Sequence, residues 1–127
     1  MSLDPRTHVG RRGEQLAAEH LQRLGYELVE RNYRTRDGEI DLIAASDAVL
    51  VFCEVKTLMV RRPAGRAAFR PLESVTQPKR ARIRRIARGW IATHSAGGRE
   101  QLRFDAIGVT LTPSGGLREL EHIEAAF

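Results

Sequence analysis

Gly38-Glu39-Ile40-Asp41-Leu42-Ile43-Ala44 and, shortly after, Val51-Phe52-Cys53-Glu54-Val55-Lys56 are two strand-like apolar runs with charges at alternate positions. A charge inside such a run is expensive to bury unless it is paired or holds a metal. Side chains alternate faces along a strand, so Glu39 and Asp41 share one face, as do Glu54 and Lys56. Ile40, Leu42, Phe52 and Val55 mark the same strands as interior. Three carboxylates and an amine therefore stand where a sequence built only for stability would carry valine.

Between the runs lies Ala45-Ser46-Asp47-Ala48, short and turn-capable, which makes an antiparallel hairpin the simplest connection. With Asp47-Ala48 as the loop, Ser46 faces Val49 and Asp41 falls directly opposite Glu54. Such neighbours have Cβ atoms roughly 4.5–5.5 Å apart. Two carboxylates at that distance repel unless a cation sits between them or one takes a proton. Oxygen-only ligation with room for water suits Mg²⁺ or Mn²⁺ better than zinc. Lys56, one pleat further along, is expected to reach the same space.

Upstream, a helix is expected over His8–Leu24, stopped by Gly25, with Leu16, Ala17, Leu21 and Leu24 inward. Extending that stripe backwards reaches Glu14. Either this carboxylate faces the interior, or it simply occupies a first turn where the helix dipole welcomes negative charge. Tyr26–Arg34 reads as a strand, and Arg36-Asp37-Gly38 as the turn into the next. The third strand is expected over Val49–Thr57.

Downstream, Leu58–Leu72 carries Pro63, Gly65, Pro71, Arg61, Arg62, Arg66 and Arg70, with no acid. A loop of this length is functional or disordered. It reads as a mobile basic arm over bound phosphates or as a disordered surface loop. A second helix is expected over Pro78–His94, with Ile83, Ile86, Ala87, Trp90 and Ile91 as its apolar stripe. Lys79, Arg80, Arg82, Arg84, Arg85 and Arg88 cover the remainder, a one-signed face that favours phosphate contact over plain solvation. Gln101–Leu111 follows as a fourth strand, in which Asp105 is expected to brace an arginine. Leu117–Ile123 reads as a short edge strand.

The composition fits an ordinary soluble globule of one domain over residues 1–127, with 42% hydrophobic and 29% charged residues. No run approaches the ~20 apolar residues of a membrane span, and the N-terminus lacks a signal-peptide core. The single Cys53 excludes an internal disulfide and reads as a small buried hydrophobe; cytoplasm is the default compartment. His8, His20, His94 and His122 lack metal-ligand spacing, which argues against zinc. A net charge of +5 points to a polyanionic partner, although a lineage that favours arginine would also produce it.

The order helix, three strands, helix, strand, with Asp41 and Glu54-x-Lys56 on adjacent strands, resembles the restriction-endonuclease-like nuclease core. That resemblance implies an α/β fold of order αβββαβ, with a mixed central sheet flanked by helices. Gly10-x-x-Gly13-Glu14-x-x-Ala17, Arg31-Asn32-Tyr33-Arg34, Gly38-Glu39-Ile40-Asp41-Leu42-Ile43, Phe52-x-Glu54-Val55-Lys56 and Arg103-Phe104-Asp105 are similar to the YraN-like family. These are uncharacterised bacterial proteins similar in fold to archaeal Holliday junction resolvases. The resemblance implies Asp41 and Glu54 as metal ligands, Glu14 completing the acidic cluster, Glu39 supporting a second ion or accepting a proton, and Lys56 as the active-site amine. It further implies DNA as partner, a divalent cofactor, and hydrolysis of branched or structured DNA, for which paired subunits would supply two sites. The competing expectation is a nucleic-acid-binding module or adaptor in DNA repair, recombination or uptake.

Overall fold

The acid-bearing runs form two antiparallel strands, β2 (Gly38–Ala45) and β3 (Val49–Met59), in a computed structural model that describes residues 5–61, 73 and 75–127. Their register is the one the short loop demands. Ala45 faces Leu50 and Leu42 faces Cys53, while Ser46 N–H donates to the Val49 carbonyl at 2.9 Å. A third strand, β1 (Glu27–Thr35), pairs antiparallel with β2 through the tight turn at Arg36-Asp37.

Helix α1 (Pro5–Arg23) precedes β1, and helix α2 (Gln77–His94) carries the chain over the sheet to β4 (Gln101–Leu111). The β3–β4 pair is parallel, and β5 (Leu117–Ile123) closes the sheet antiparallel to β4. Spatial order is β1-β2-β3-β4-β5. This mixed five-stranded sheet with two helices is compatible with a restriction-endonuclease-like core.

Each helix covers one face. Leu16, Ala17, Ala18 and Leu21 of α1 pack on Leu42, Val51, Cys53 and Val109, whereas Ile83, Ile86 and Trp90 of α2 pack on Ile43, Leu50 and Phe52. Leu24 departs from expectation: it is 53% exposed. The helix ends one residue earlier, at Arg23, and Gly25 turns back with φ +96° as Tyr26 N–H bonds the Leu21 carbonyl. That reversal throws Leu24 outward.

β3 also runs past its expected end, since Thr57, Leu58 and Met59 pair with Val109, Thr110 and Leu111. A parallel partner far along the chain leaves no local mark in sequence. The remainder of the expected basic arm, residues 62–72, lies outside the described residues and takes Arg62, Arg66 and Arg70 with it. Cys53 is buried, and that burial pushes its thiol well above its ordinary range, as expected of an inert core sulfur. No described helix is long and apolar enough to cross a membrane.

A polar cluster centred on Asp105 ties β4 to β5, α1 and the loop before β1. Asp105, fully buried, accepts two hydrogen bonds from Arg103 at 2.8 and 2.9 Å. His122 reaches the same carboxylate at 2.7 Å, and Ala125 N–H at 3.0 Å. Arg103 also donates to the Tyr26 hydroxyl at 2.8 Å, and His20 on α1 contacts His122 at 3.0 Å. The expected brace between Asp105 and an arginine is present, with more partners than the sequence disclosed.

Candidate functional site

Backbone pairing between β2 and β3 ends at Leu42 and Cys53, although both strands continue. The next opposed pair in that register is Asp41 and Glu54. There the Asp41 carboxylate itself accepts the Val55 N–H at 2.7 Å, so a side chain replaces a ladder carbonyl and the strands part. The strand's alternation also breaks at this point. Leu42 and Ala44 face α1, yet Ile40 joins Ile43 and Ala45 on the α2 side. Asp41 thus sits in a notch reached from both faces of the sheet.

Asn32 causes part of this irregularity. It lies between the pairs Arg31–Leu42 and Tyr33–Ile40 with φ +52°, a left-handed conformation that Asn tolerates better than most residues. Its side chain hydrogen-bonds Glu14. Glu14 descends from α1 because Gly13 lets the helix touch β3: a Cβ at Gly13 would lie 2.7 Å from Thr57 Cβ and overlap the Thr57 side chain further out. Gly13→Ala should therefore cost about 1–3 kcal/mol as overpacking and lift Glu14 from the notch. Denaturant midpoints measure the first effect; a midpoint equal to the parent's would show that α1 does not depend on this close approach.

Glu14, Glu39 and Asp41 come together, each offering an oxygen within 4.8 Å of the others. Burial raises the Asp41 carboxyl to about 9, with the Glu54 charge adding to it; the Val55 N–H opposes, and Glu14 and Glu39 push further upward. Glu14 is also raised, first by burial, against the Asn32 hydrogen bond and with Glu39 and Glu54 contributing. Three carboxylate oxygens so placed, with Asp41 raised by burial and by its acidic neighbours, fit a hard divalent cation. Glu54 adjoins this cluster, but its carboxylate pairs with Lys79 of α2. Glu39 is shared with Arg34 at 2.8 Å.

The notch opens on each side. Towards α2, Glu39, Asp41, Glu54, Lys79 and Arg82 line a cavity of about 240 Å³. Towards α1, Lys56 lines a separate cavity with Glu14, Val9 and Val55. The amine against Glu54 is Lys79, whereas Lys56 is exposed. The basic face of α2 likewise divides. Lys79 and Arg82 face the acids and Arg85 reaches Asp37 at 3.5 Å. Arg80 bonds the Val75 carbonyl at 2.9 Å and lies over Phe127, while Arg84 lies over Phe104. Arg88 and Arg61 are exposed.

Comparison with known proteins places this notch in a family. The model described as "Uncharacterised protein family UPF0102" matches residues 13–109, beginning at the glycine that seats Glu14 and ending within β4. The chain belongs to the UPF0102 family. A UPF0102 protein of Frankia casuarinae is 45% identical over 94% of this chain and 95% of its own. One from Frankia alni is 42% identical over the full length of both, and one from Streptomyces coelicolor 44% identical over 94% and 88%. The UPF0102 match spans Glu14, Glu39, Asp41, Glu54, Lys56 and all of α2.

Sequence reasoning assigned no role to Asn32, Gly13 or the Lys79–Glu54 pair in this UPF0102 protein. Asn32 and Gly13 stand in the quoted motifs, and an asparagine inside a strand-like run is a usable signal of irregular backbone. Lys79 offered none, being one cation among six on its helix.

Proposed function

We propose that this protein is a Mg²⁺- or Mn²⁺-dependent endonuclease that hydrolyses phosphodiester bonds in branched or otherwise structured DNA. The observation that carries this reading is the convergence of Glu14 of α1 with Glu39 and Asp41 of β2, in a notch walled on one side by Lys79 and Arg82. Asp41 and Glu54, with Glu14 and Glu39, would hold the ion. A divalent ion in such a place polarises phosphoryl oxygen and lowers the pKa of water. Lys56 would orient the attacking water or offset charge that develops on the phosphate. The arginines of α2, together with Arg61, Arg62, Arg66 and Arg70, would grip backbone without reading bases, so that selectivity comes from shape. Two copies of the chain would supply the two cuts that a duplex or junction needs, and the cytoplasm is the proposed setting.

A binding-only module or adaptor is favoured by a single observation, that the notch partly neutralises itself through Lys79. Labelled linear, flapped and four-way DNA, incubated with Mg²⁺ or Mn²⁺, separates the readings. The parent should release product from structured DNA, and Asp41→Asn protein prepared in parallel should release none. Salt-sensitive binding with no product in either metal would establish the binding module instead. Equal cutting by both proteins would remove the site assignment.

A further inference from the structure

Lys79 stands in the first turn of α2, where a cation opposes the helix dipole, and no acid accompanies it there. Helix stability therefore does not explain its position. Its Nζ lies 2.5 Å from the Glu54 carboxylate, whose side chain is nine-tenths buried, while Lys79 is one-third exposed. The carboxylate is fixed between strands. The amine hangs on a flexible four-carbon stem that reaches solvent. Both line the same cavity as Asp41, Glu39 and Arg82.

Resting on the metal-site reading above, we infer that Lys79 is an internal stand-in for the divalent cation. It holds Glu54 until the ion arrives, and then turns to a phosphodiester of the nucleic-acid backbone. An ion and an ammonium on one carboxylate repel, so each weakens the other's hold on Glu54. The displaced amine stays within the cavity's rim, beside Arg82, where a bound phosphate would meet it. A polyanion that draws Lys79 away clears Glu54 for the ion, and by linkage the ion improves the grip on the polyanion.

Mn²⁺ binding to the protein alone, followed by calorimetry, tests the competition; anisotropy of a labelled duplex at fixed Mn²⁺ tests the phosphate contact. Lys79→Met retains most of the stem and removes the charge. It should bind Mn²⁺ about fivefold or more tightly than the parent. It should bind the duplex more weakly, with a salt slope reduced by about one. Lys79→Arg should keep the parent's salt slope. Opposite movements of the two affinities cannot come from a general loss of structure, which would weaken both. Mn²⁺ affinity that is equal or weaker in Lys79→Met overturns the inference, and so does a duplex affinity that does not move. The metal site itself survives that outcome provided Asp41→Asn loses Mn²⁺. If neither parent nor Lys79→Met binds Mn²⁺, the metal reading fails as well.

Discussion

Asp41→Asn should eliminate hydrolysis and at the same time make the metal-free protein harder to melt. The two effects share one cause. The folded carboxyl is raised to about 9, whereas in the unfolded chain it titrates near the ordinary value of about 3.9. Between those values the folded state binds a proton that the unfolded state has released, so stability falls as pH rises through this window. Each pH unit crossed by one such group is worth up to about 1.4 kcal/mol. Asparagine has the carboxylate's shape, can still accept the Val55 N–H, and carries no charge to bury. At pH 8 in chelator the variant should therefore melt at least about 5 °C higher than the parent. The gap should close towards pH 4.

Mn²⁺ narrows the gap. An ion that binds only the folded state adds about 2.7 kcal/mol at a hundred times its Kd, and the parent should gain that while the variant does not. Groups that merely orient ligands are worth about 10–100-fold in affinity or activity, so a ligand itself should cost more than a hundredfold in rate. Melting curves at pH 5, 7 and 8.5, with chelator and with Mn²⁺, measure the stability effects, and cleavage of labelled four-way DNA measures the rate. A variant no more stable than the parent at pH 8 would show that Asp41 is not held protonated by its neighbours.

The second large effect has the opposite sign. Asp105→Ala should destabilise the protein by about 3–5 kcal/mol, because the Arg103 side chain, 12% exposed, would lose its buried counter-charge. Burial pushes the Asp105 carboxyl up, but hydrogen bonds from His122, Arg103 and the Ala125 N–H outweigh it and hold the group below its ordinary range. A depressed carboxyl contributes stability above the unfolded value of about 3.9, and that contribution is lost as pH falls through the folded value. Acid should thus weaken the parent through Asp105 while it relieves Asp41. The loss in Asp105→Ala should be large at pH 7 and shrink below about pH 4, read from urea midpoints. A midpoint shift under about 1 kcal/mol at pH 7 would show that Arg103 finds another partner or reaches water.

How far the notch could be read in advance depended on which contacts were local. The β2–β3 register followed from a two-residue loop, and with it the placement of Asp41 opposite Glu54. Periodicity brought Glu14 to the inner side of α1 but could not choose between a site and a dipole partner. The decisive fact is the contact of Gly13 with Thr57, between residues far apart in the chain. Lys56 shares strand parity with Glu54, and the β3–β4 register runs unbroken past both, yet the amine that reaches Glu54 comes from another element, Lys79 of α2. Lys79 was legible as a basic residue on a helix and nothing more: a helical period gives a side chain's direction, not the end point of four rotatable bonds. The Leu24 reversal and the extension of β3 beyond Thr57 were hidden for related reasons, one in backbone geometry and the other in a distant parallel partner.

The parallel pairing of β3 with β4 has a further meaning for how the molecule is made. α1, β1, β2 and β3 meet through neighbouring segments, so all four acids belong to the part of the chain that leaves the ribosome first. Glu39 meets Arg34 within that part, whereas the α2 lysine that pairs with Glu54 is made later. For that interval the nascent chain carries a knot of mutual repulsion, which magnesium in the surrounding solution is well suited to quiet.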